Sequence, residues 1–165
     1  MKSTKFKIDE TNGTYMVLTP VTEKDILTMA NQLAKNRLAK GNVIERPSSA
    51  FIYLQTLMSK YEREVFGSIF LNTQYRIISF EELFYGTINA ANIHPREVVK
   101  RALELNAAAI IFVHNHPSGD SSPSDADVQI TIVLREALNL IDVRVLDHIV
   151  VGANECVSMT ECGLI

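Results

Sequence analysis

The stretch AAAIIFVHNHPSGDSSPSDAD, residues 107 to 127, joins the most hydrophobic run of the chain to a dense cluster of polar residues. Its seven apolar residues predict a strand buried on both faces, like the inner strands of an α/β sheet. Pro117, Gly119 and Pro123 then predict a loop, and Ser124 predicts the first cap of a helix. This order of strand, polar loop and helix indicates an α/β fold with the polar cluster at one end of the sheet.

The sequence on either side alternates between helical and strand patterns. Thr22 begins a capping box before a helix that stops at Gly41, Pro47 opens a second helix that should end near Glu64, and Pro95 opens a third. Strands are predicted in the segments VFGSIFLN, YRIISFEELF, VRVLDHIVVG and CVSM. We therefore expect an α/β layered sandwich in which helices flank a mixed β-sheet.

Residues 1 to 43 are predicted to form an amino-terminal arm and an amphipathic helix. Within the arm, the turn signal Asn12-Gly13 allows either a short hairpin or a loose segment. Residues 44 to 165 carry the remaining elements together with the polar cluster, so we expect the functional domain to lie there.

The composition is that of a globular protein and excludes several functional classes. A net charge of −3 over 165 residues argues against holding nucleic acid by bulk phosphate neutralisation. No apolar run reaches the roughly 20 residues of a membrane span, and the amino terminus lacks a signal-peptide core, so the cytoplasm is the expected location. Cys156 and Cys162 lack the CxxC spacing and are expected to be reduced, structural thiols.

Three side chains of the polar cluster have the types and spacing of a metal site. If the strand continues through His114 and His116, both imidazoles point to the same side, and Asp127 can fold back towards them from the next helix. Two histidines and one carboxylate form the three-ligand set of a catalytic zinc, with one zinc expected per chain. Taken alone, Ser124 and Asp127 are also a good capping box, and a single histidine at a strand end is more often a hydrogen-bonded residue than a ligand.

A hydrolytic zinc site also needs a general base that is not itself a ligand. Glu64 precedes the first core strand and is the preferred candidate, because a carboxylate there can reach the end of a neighbouring strand. Glu62 is the alternative, and the composition of the segment does not choose between the two.

The pattern H-x-H-P-x6-S-x2-D, which begins at His114 and ends at Asp127, resembles the JAMM metalloprotease signature of the JAB/MPN domain. Within that superfamily the chain resembles bacterial RadC-like proteins over roughly residues 45 to 160. The similarity lies in GTINAANIHPREVVKRAL at 86 to 103, HNHPSGDSSPSDAD at 114 to 127 and LDHIVVG at 146 to 152.

The resemblance implies a JAB/MPN-like, cytidine-deaminase-like layered sandwich and zinc-dependent hydrolysis of peptide or isopeptide bonds. It implies that His114, His116 and Asp127 bind zinc, that Glu64 is the general base, and that Ser124 hydrogen-bonds the developing oxyanion. The substrate would then be a protein or peptide, with a possible link to DNA repair.

Longer RadC proteins carry an amino-terminal helix-hairpin-helix region, which residues 1 to 43 do not match, so little in the sequence supports direct DNA contact. The alternative to an enzyme is a non-catalytic module that recruits protein or DNA partners and binds a metal ion only to stabilise its fold. A homodimer is possible, and no membrane contact is expected. Among the remaining candidates, His94 is expected to cap a helix start, with support of the metal site as its alternative role. Arg96 is a possible anion contact, and His148 is expected to be a hydrogen-bonded core residue.

Overall fold

A computed structural model of the chain describes residues 5 to 86 and 92 to 165. The strands of this part are β1 (Phe6–Asp9), β2 (Thr14–Val17), β3 (Val65–Leu71), β4 (Ile77–Tyr85), β5 (Ala109–Asn115), β6 (Arg144–Val151) and β7 (Cys156–Ser158). The helices are α1 (Glu23–Arg37), α2 (Phe51–Met58), α3 (Pro95–Glu104) and α4 (Asp125–Asn139), and a 3₁₀ turn at Pro47–Ala50 precedes α2. Residues 1 to 4, and residues 87 to 91 of the RadC-like segment at 86 to 103, lie outside the described residues.

Five strands form one mixed sheet in the order β4-β3-β5-β6-β7. Strand β3 runs antiparallel to both β4 and β5, whereas β5 and β6 are parallel neighbours connected through α4. The central strand β5 is buried along its whole length, as its unbroken apolar sequence predicts. Strands β1 and β2 pair as a separate hairpin, which confirms the hairpin interpretation of the Asn12-Gly13 turn.

Helices cover both faces of the sheet. On one face, Leu54 and Met58 of α2 join a core with Ile69 and Ile111, and this core also includes Ala34 of α1. Most of the buried residues of the other face come from β3, β5, α3 and α4: Phe66, Phe70, Val98, Ala102, Ile110, Phe112, Leu134 and Leu138. The predicted α/β layered sandwich around a mixed sheet is therefore confirmed.

The helix starts follow local signals, but two helix ends do not, and the first of these is the end of α1, which lies at Arg37 and not at Gly41. Both predicted capping boxes form, at Thr22 before α1 and at Ser124 before α4. The prediction that the second helix ends near Glu64 is wrong, because α2 ends at Met58. The Asn115 side chain accepts from the Val65 backbone N–H at 2.8 Å and donates to the Arg63 carbonyl at 3.1 Å, so the chain has to leave the helix to reach β3.

Both cysteines are free, in agreement with the expectation of reduced thiols. Across residues 5 to 86 and 92 to 165, no helix combines the length and apolar character needed to cross a membrane.

Candidate metal centre

Strand β5 carries the two histidines of the cluster to the edge of the core. The strand includes His114, and its pairing with β6 continues one residue further, because the His116 backbone N–H donates to the Val151 carbonyl at 3.0 Å. Side chains two residues apart on an extended chain lie on the same face. The two Nε2 atoms are accordingly 2.9 Å apart.

The first turn of α4 brings Asp127 to the same place. One carboxylate oxygen, Oδ1, lies 3.2 Å from His114 Nε2, and the other, Oδ2, lies 3.5 Å from His116 Nε2. The ligand atoms of the three residues all lie within 4.8 Å of one another. The structure therefore brings together the three side chains proposed from the sequence as metal ligands.

The hydrogen bonds around the rings show which nitrogen atoms are available. His116 Nδ1 lies 2.8 Å from the Asp120 carbonyl oxygen, which can only accept, so Nδ1 carries a proton and Nε2 of the neutral ring has a free lone pair. His114 Nδ1 lies 2.8 Å from His148 Nε2, and the Nε2 atom of His114 therefore faces Asp127 and His116. Two such nitrogens and a carboxylate pointing at one another repel unless a cation lies between them, so this donor set fits a metal ion such as zinc.

The pKa shifts of Asp127 and His116 agree with a cluster that stabilises a bound cation. Burial acts to raise the pKa of Asp127, but hydrogen bonds from the His114 and His116 rings, when these rings carry a proton on Nε2, outweigh it and hold this pKa far below its usual range. The hydrogen bond with Asp127 raises the pKa of His116, with smaller contributions from the Asp120 carbonyl and the Glu64 charge in the same direction. A proton or a metal ion is therefore stabilised at the same point.

Glu64 lies next to this cluster through the pairing of β3 with β5. Phe66 pairs with His114 in antiparallel register, so the residue two positions earlier, Glu64, lies opposite His116 and on the same face. The Asn115 clamp on the Val65 N–H and the Arg63 carbonyl holds the backbone on both sides of Glu64. The Glu64 side chain is half-buried, whereas Glu62 is exposed, and this difference favours Glu64 as the candidate base.

Ser124 caps α4 and also contacts the Asp127 carboxylate. Its hydroxyl donates to Asp127 Oδ2 at 2.6 Å and accepts from the Asp127 backbone N–H at 3.2 Å. Its own backbone N–H donates to the same Oδ2 at 2.7 Å. The capping role is thus present in full, and Oδ1 is the carboxylate oxygen that the cap leaves free.

Two weaker sequence candidates lie at the start of α3. His94 is the residue before α3, but its side chain makes no cap hydrogen bond, and its ring contacts Phe84 edge-on with centroids 6.1 Å apart. The predicted helix start is therefore confirmed, with His94 as the N-cap residue and Pro95 as the first helical residue, and the His94 backbone carbonyl accepts the first helical hydrogen bonds. Arg96 is exposed, and its role as an anion contact stays a prediction.

His148 of β6 is fully buried, and both of its ring nitrogens have partners. Nδ1 lies 2.5 Å from Thr131 Oγ1, and Nε2 lies 2.8 Å from His114 Nδ1. Burial and the neighbouring His114 ring lower the pKa of His148 well below its ordinary value. The prediction of a hydrogen-bonded core histidine is confirmed, and the structure adds that one of its partners is a candidate ligand.

Three residues that support the cluster had no assigned role in the sequence: Asn115, Thr131 and Gly152. Asn115 lies between the two histidines and could have been suspected from that position. Gly152 ends the LDHIVVG segment, and a Cβ there would come within 2.7 Å of the Gly119 carbonyl oxygen in the histidine loop. The supporting role of Thr131 could not be predicted from the sequence, because its position is an ordinary one inside an amphipathic helix.

The chain is similar to known proteins over most of its length. A sequence model of the family described as RadC-like JAB domain matches residues 44–164. A UPF0758 protein of Vibrio cholerae is 51% identical over 86% of this chain and 89% of its own length, and a second one is 46% identical over 90% of this chain and 94% of its own. A UPF0758 protein of Cellvibrio japonicus is 51% identical over 84% of this chain, but the match spans only 62% of that longer relative.

The family match covers the five-stranded sheet, helices on both of its faces and all of the residues of the candidate metal centre. Together with the mixed sheet of five strands between two layers of helices, these sequence matches place this chain in the RadC-like JAB domain family.

Proposed function

We propose that this protein is a zinc-dependent hydrolase of peptide or isopeptide bonds. The observation that carries the proposal is the convergence of two imidazole lone pairs and one carboxylate, with a separate carboxylate, Glu64, on the adjoining strand end. The JAB domain families include the JAMM metalloproteases, whose signature residues are all present here. Structural zinc sites are usually closed by four protein ligands, whereas three ligands leave a position open for chemistry.

The exposure of the three residues supports an opening on one side. The His114 side chain is 1% exposed, while those of His116 and Asp127 are 19% and 13% exposed. A zinc ion held by these residues would polarise a substrate carbonyl and make water acidic enough to act as a nucleophile near neutral pH. His114 then anchors the metal from the core, and the sides of His116 and Asp127 face the substrate.

Glu64 is proposed as the general base. The ligand atoms of His114, His116 and Asp127 are committed to the metal, so none of them can also accept a proton from water. Glu64 takes that proton and returns it to the leaving amine nitrogen when the bond breaks. Its fixed backbone, held through Asn115 and through the hydrogen bond from the Gly86 N–H to the Glu64 carbonyl at 2.8 Å, supports this role.

Ser124 is proposed to donate a hydrogen bond to the carbonyl oxygen as negative charge develops on it. The hydroxyl is occupied by Asp127 Oδ2 in this structure, but the Ser124 backbone N–H holds the same oxygen at 2.7 Å. The hydroxyl can therefore rotate towards the substrate without leaving the helix cap unsatisfied. A preorganised donor of this kind is worth about 2.7–4 kcal/mol in other acyl-transfer enzymes.

The test begins with zinc per chain, measured by elemental analysis of untagged protein beside Asp127→Ala, Glu64→Gln and Glu62→Gln. We expect about one zinc in the parent, Glu64→Gln and Glu62→Gln proteins and almost none in Asp127→Ala, since three ligands are the minimum set. Metal loss from Glu64→Gln would place that residue among the ligands. The absence of zinc in the parent after reconstitution would refute the proposal.

Hydrolysis is then measured on a library of quenched fluorescent peptides and on lysine ε-amide conjugates, with the same four proteins. Glu64→Gln should lose turnover while keeping its zinc, and Glu62→Gln should retain both, because only Glu64 faces the cluster. A parent protein that binds zinc but cleaves no member of either set would favour the partner-recruiting module with a structural metal.

A further inference from the structure

A chain of hydrogen bonds runs through the apolar core from one candidate ligand to another. It begins at the backbone carbonyl of Asp127, which lies 2.5 Å from Thr131 Oγ1, and continues over 2.5 Å to His148 Nδ1. His148 Nε2 then lies 2.8 Å from His114 Nδ1. Thr131 and His148 are completely buried, and the rings of Phe66 and Phe112 pack edge-on against His148, so water does not compete for these bonds.

The direction of each hydrogen bond follows from the one before it. A carbonyl only accepts, so the single Thr131 hydroxyl proton goes to Asp127, and Thr131 Oγ1 must accept the proton of His148 Nδ1. Burial disfavours a charged ring, and a neutral His148 ring satisfies both of its hydrogen-bond partners with a single proton. The neutral His148 ring therefore has a lone pair on Nε2, and that lone pair accepts the proton of His114 Nδ1.

We propose that Thr131 and His148 are positioning residues that hold His114 in its Nδ1–H tautomer, so that Nε2 is always free to bind the metal. The proposal rests on the metal site of the proposed function and extends it to two residues outside the JAMM signature. The second ligand has a simpler arrangement, because His116 Nδ1 donates directly to the Asp120 carbonyl. The tautomer of a metal-binding histidine is generally set by the partner of its other ring nitrogen.

This chain of hydrogen bonds also links the three elements that form the site. Thr131 is one turn after Asp127 on α4, His148 is on β6, and His114 is on β5. A change in the hydrogen bond at Thr131 therefore changes which ring nitrogen of His148 carries the proton, and with it the proton position on His114. If Thr131 lost its hydroxyl, His148 would gain by moving its proton from Nδ1 to Nε2, where it could donate to His114. His114 would then have to carry its own proton on Nε2, the atom that faces the metal.

The substitution that tests this chain is Thr131→Val, which removes the hydroxyl and keeps the shape of the side chain. Thr131→Ser keeps the hydroxyl and should restore the parent behaviour. Ser68→Ala is the matched control, because Ser68 Oγ is also a buried hydroxyl but has no hydrogen-bond partner among the described residues. Zinc affinity is measured for all four proteins by competition with a chromophoric chelator, and thermal unfolding of the metal-free proteins records stability separately.

Loss of a partner behind a metal-binding histidine typically weakens metal affinity about 10- to 100-fold, and we expect a loss in this range for Thr131→Val alone. A purely structural role would lower the stability of Thr131→Val without changing zinc affinity. Equal affinity in Thr131→Val and the parent would overturn this inference while leaving the zinc site intact. A parent that binds no zinc would overturn the proposed function as well.

The tautomers themselves are read from long-range ¹H–¹⁵N correlation spectra of the imidazole rings in the metal-free parent, which needs no variant to fold. We expect protonated Nδ1 and unprotonated Nε2 for both His114 and His148. In Thr131→Val the His148 proton should move to Nε2, and His114 should follow. A parent spectrum in which His114 carries its proton on Nε2 would overturn the inference regardless of the affinity result.

Discussion

Replacing Gly152 by alanine should displace the loop that supports His116 and thereby lower both the stability of the protein and its zinc affinity. Gly152 follows β6 and lies against the loop that connects His116 to α4. A Cβ at this position would lie 2.7 Å from the Gly119 carbonyl oxygen, 2.9 Å from the Ser121 Cβ and 2.9 Å from the Ser121 backbone nitrogen. None of these atoms is the end of a flexible side chain, so the backbone of the loop has to move.

The size of the effect follows from these distances. Carbon atoms in contact are normally about 3.5–4.0 Å apart, so the loop has to shift by roughly 0.6 Å or more. Overpacking of this kind costs about 1–3 kcal/mol of unfolding free energy, and each kcal/mol lowers Tm by about 2–4 °C in a chain of this size. The same loop carries the Asp120 carbonyl that accepts from His116 Nδ1 at 2.8 Å. Losing that bond should weaken zinc binding about tenfold.

The assay is thermal unfolding of the metal-free protein together with zinc affinity by chelator competition, for the parent, Gly152→Ala and Gly13→Ala. Gly13 has a φ of 72° and nothing within 4 Å of its added Cβ, so alanine there should cost only about 1–2 kcal/mol of left-handed strain and leave zinc affinity unchanged. Parent-like stability in Gly152→Ala would refute the steric argument. Lower stability with unchanged zinc affinity would show that the loop contact does not support His116.

Three further predictions concern the supports and the charge of the site. Asn115→Ala leaves the buried Val65 N–H without its acceptor and should lower the unfolding free energy by about 1–3 kcal/mol. A denaturant titration with an unchanged midpoint would show that the Asn115 hydrogen bonds do not stabilise the fold. Because the hydrogen bond with Asp127 raises the pKa of His116 in the metal-free protein, protons compete with zinc, so zinc affinity should fall about tenfold per pH unit below that pKa and level off above it. Equal affinities at about pH 6 and about pH 8 would show that no proton is displaced from the cluster. With a net charge of −3 the protein should bind duplex DNA only weakly at physiological salt, and a tight complex by fluorescence anisotropy would argue for a local basic surface instead.

The parts of the fold that local sequence predicted well are those in which the partners are close along the chain. The capping boxes at Thr22 and Ser124 join residues three apart, and the hairpin depends on the Asn12-Gly13 turn. The end of α2 was predicted wrongly because the helical spacing of apolar residues continues past Met58. The competing interaction is made with Asn115, which lies 50 residues after its partner Val65, and no local pattern indicates it.

The preference for Glu64 over Glu62 shows the same limit. Both glutamates precede β3, and their local sequence does not separate them. The register in which Phe66 pairs with His114 places Glu64 on the face of the cluster, whereas Glu62 is exposed. That register is a property of the assembled sheet, since a shift of one residue would turn every side chain of β3 to the opposite face.

The candidate ligands could be identified from the sequence, because the spacing of His114 and His116 on a strand and the position of Asp127 in the first turn of a helix are local properties. The way in which those ligands are held depends on contacts between elements that are far apart along the chain. The parallel pairing of β5 with β6 and the packing of α4 bring His148 and Thr131 behind His114, and they bring Gly152 against the loop. Hydrogen bonds and steric contacts between elements depend on distances of a few ångströms, which periodicity along one chain does not encode.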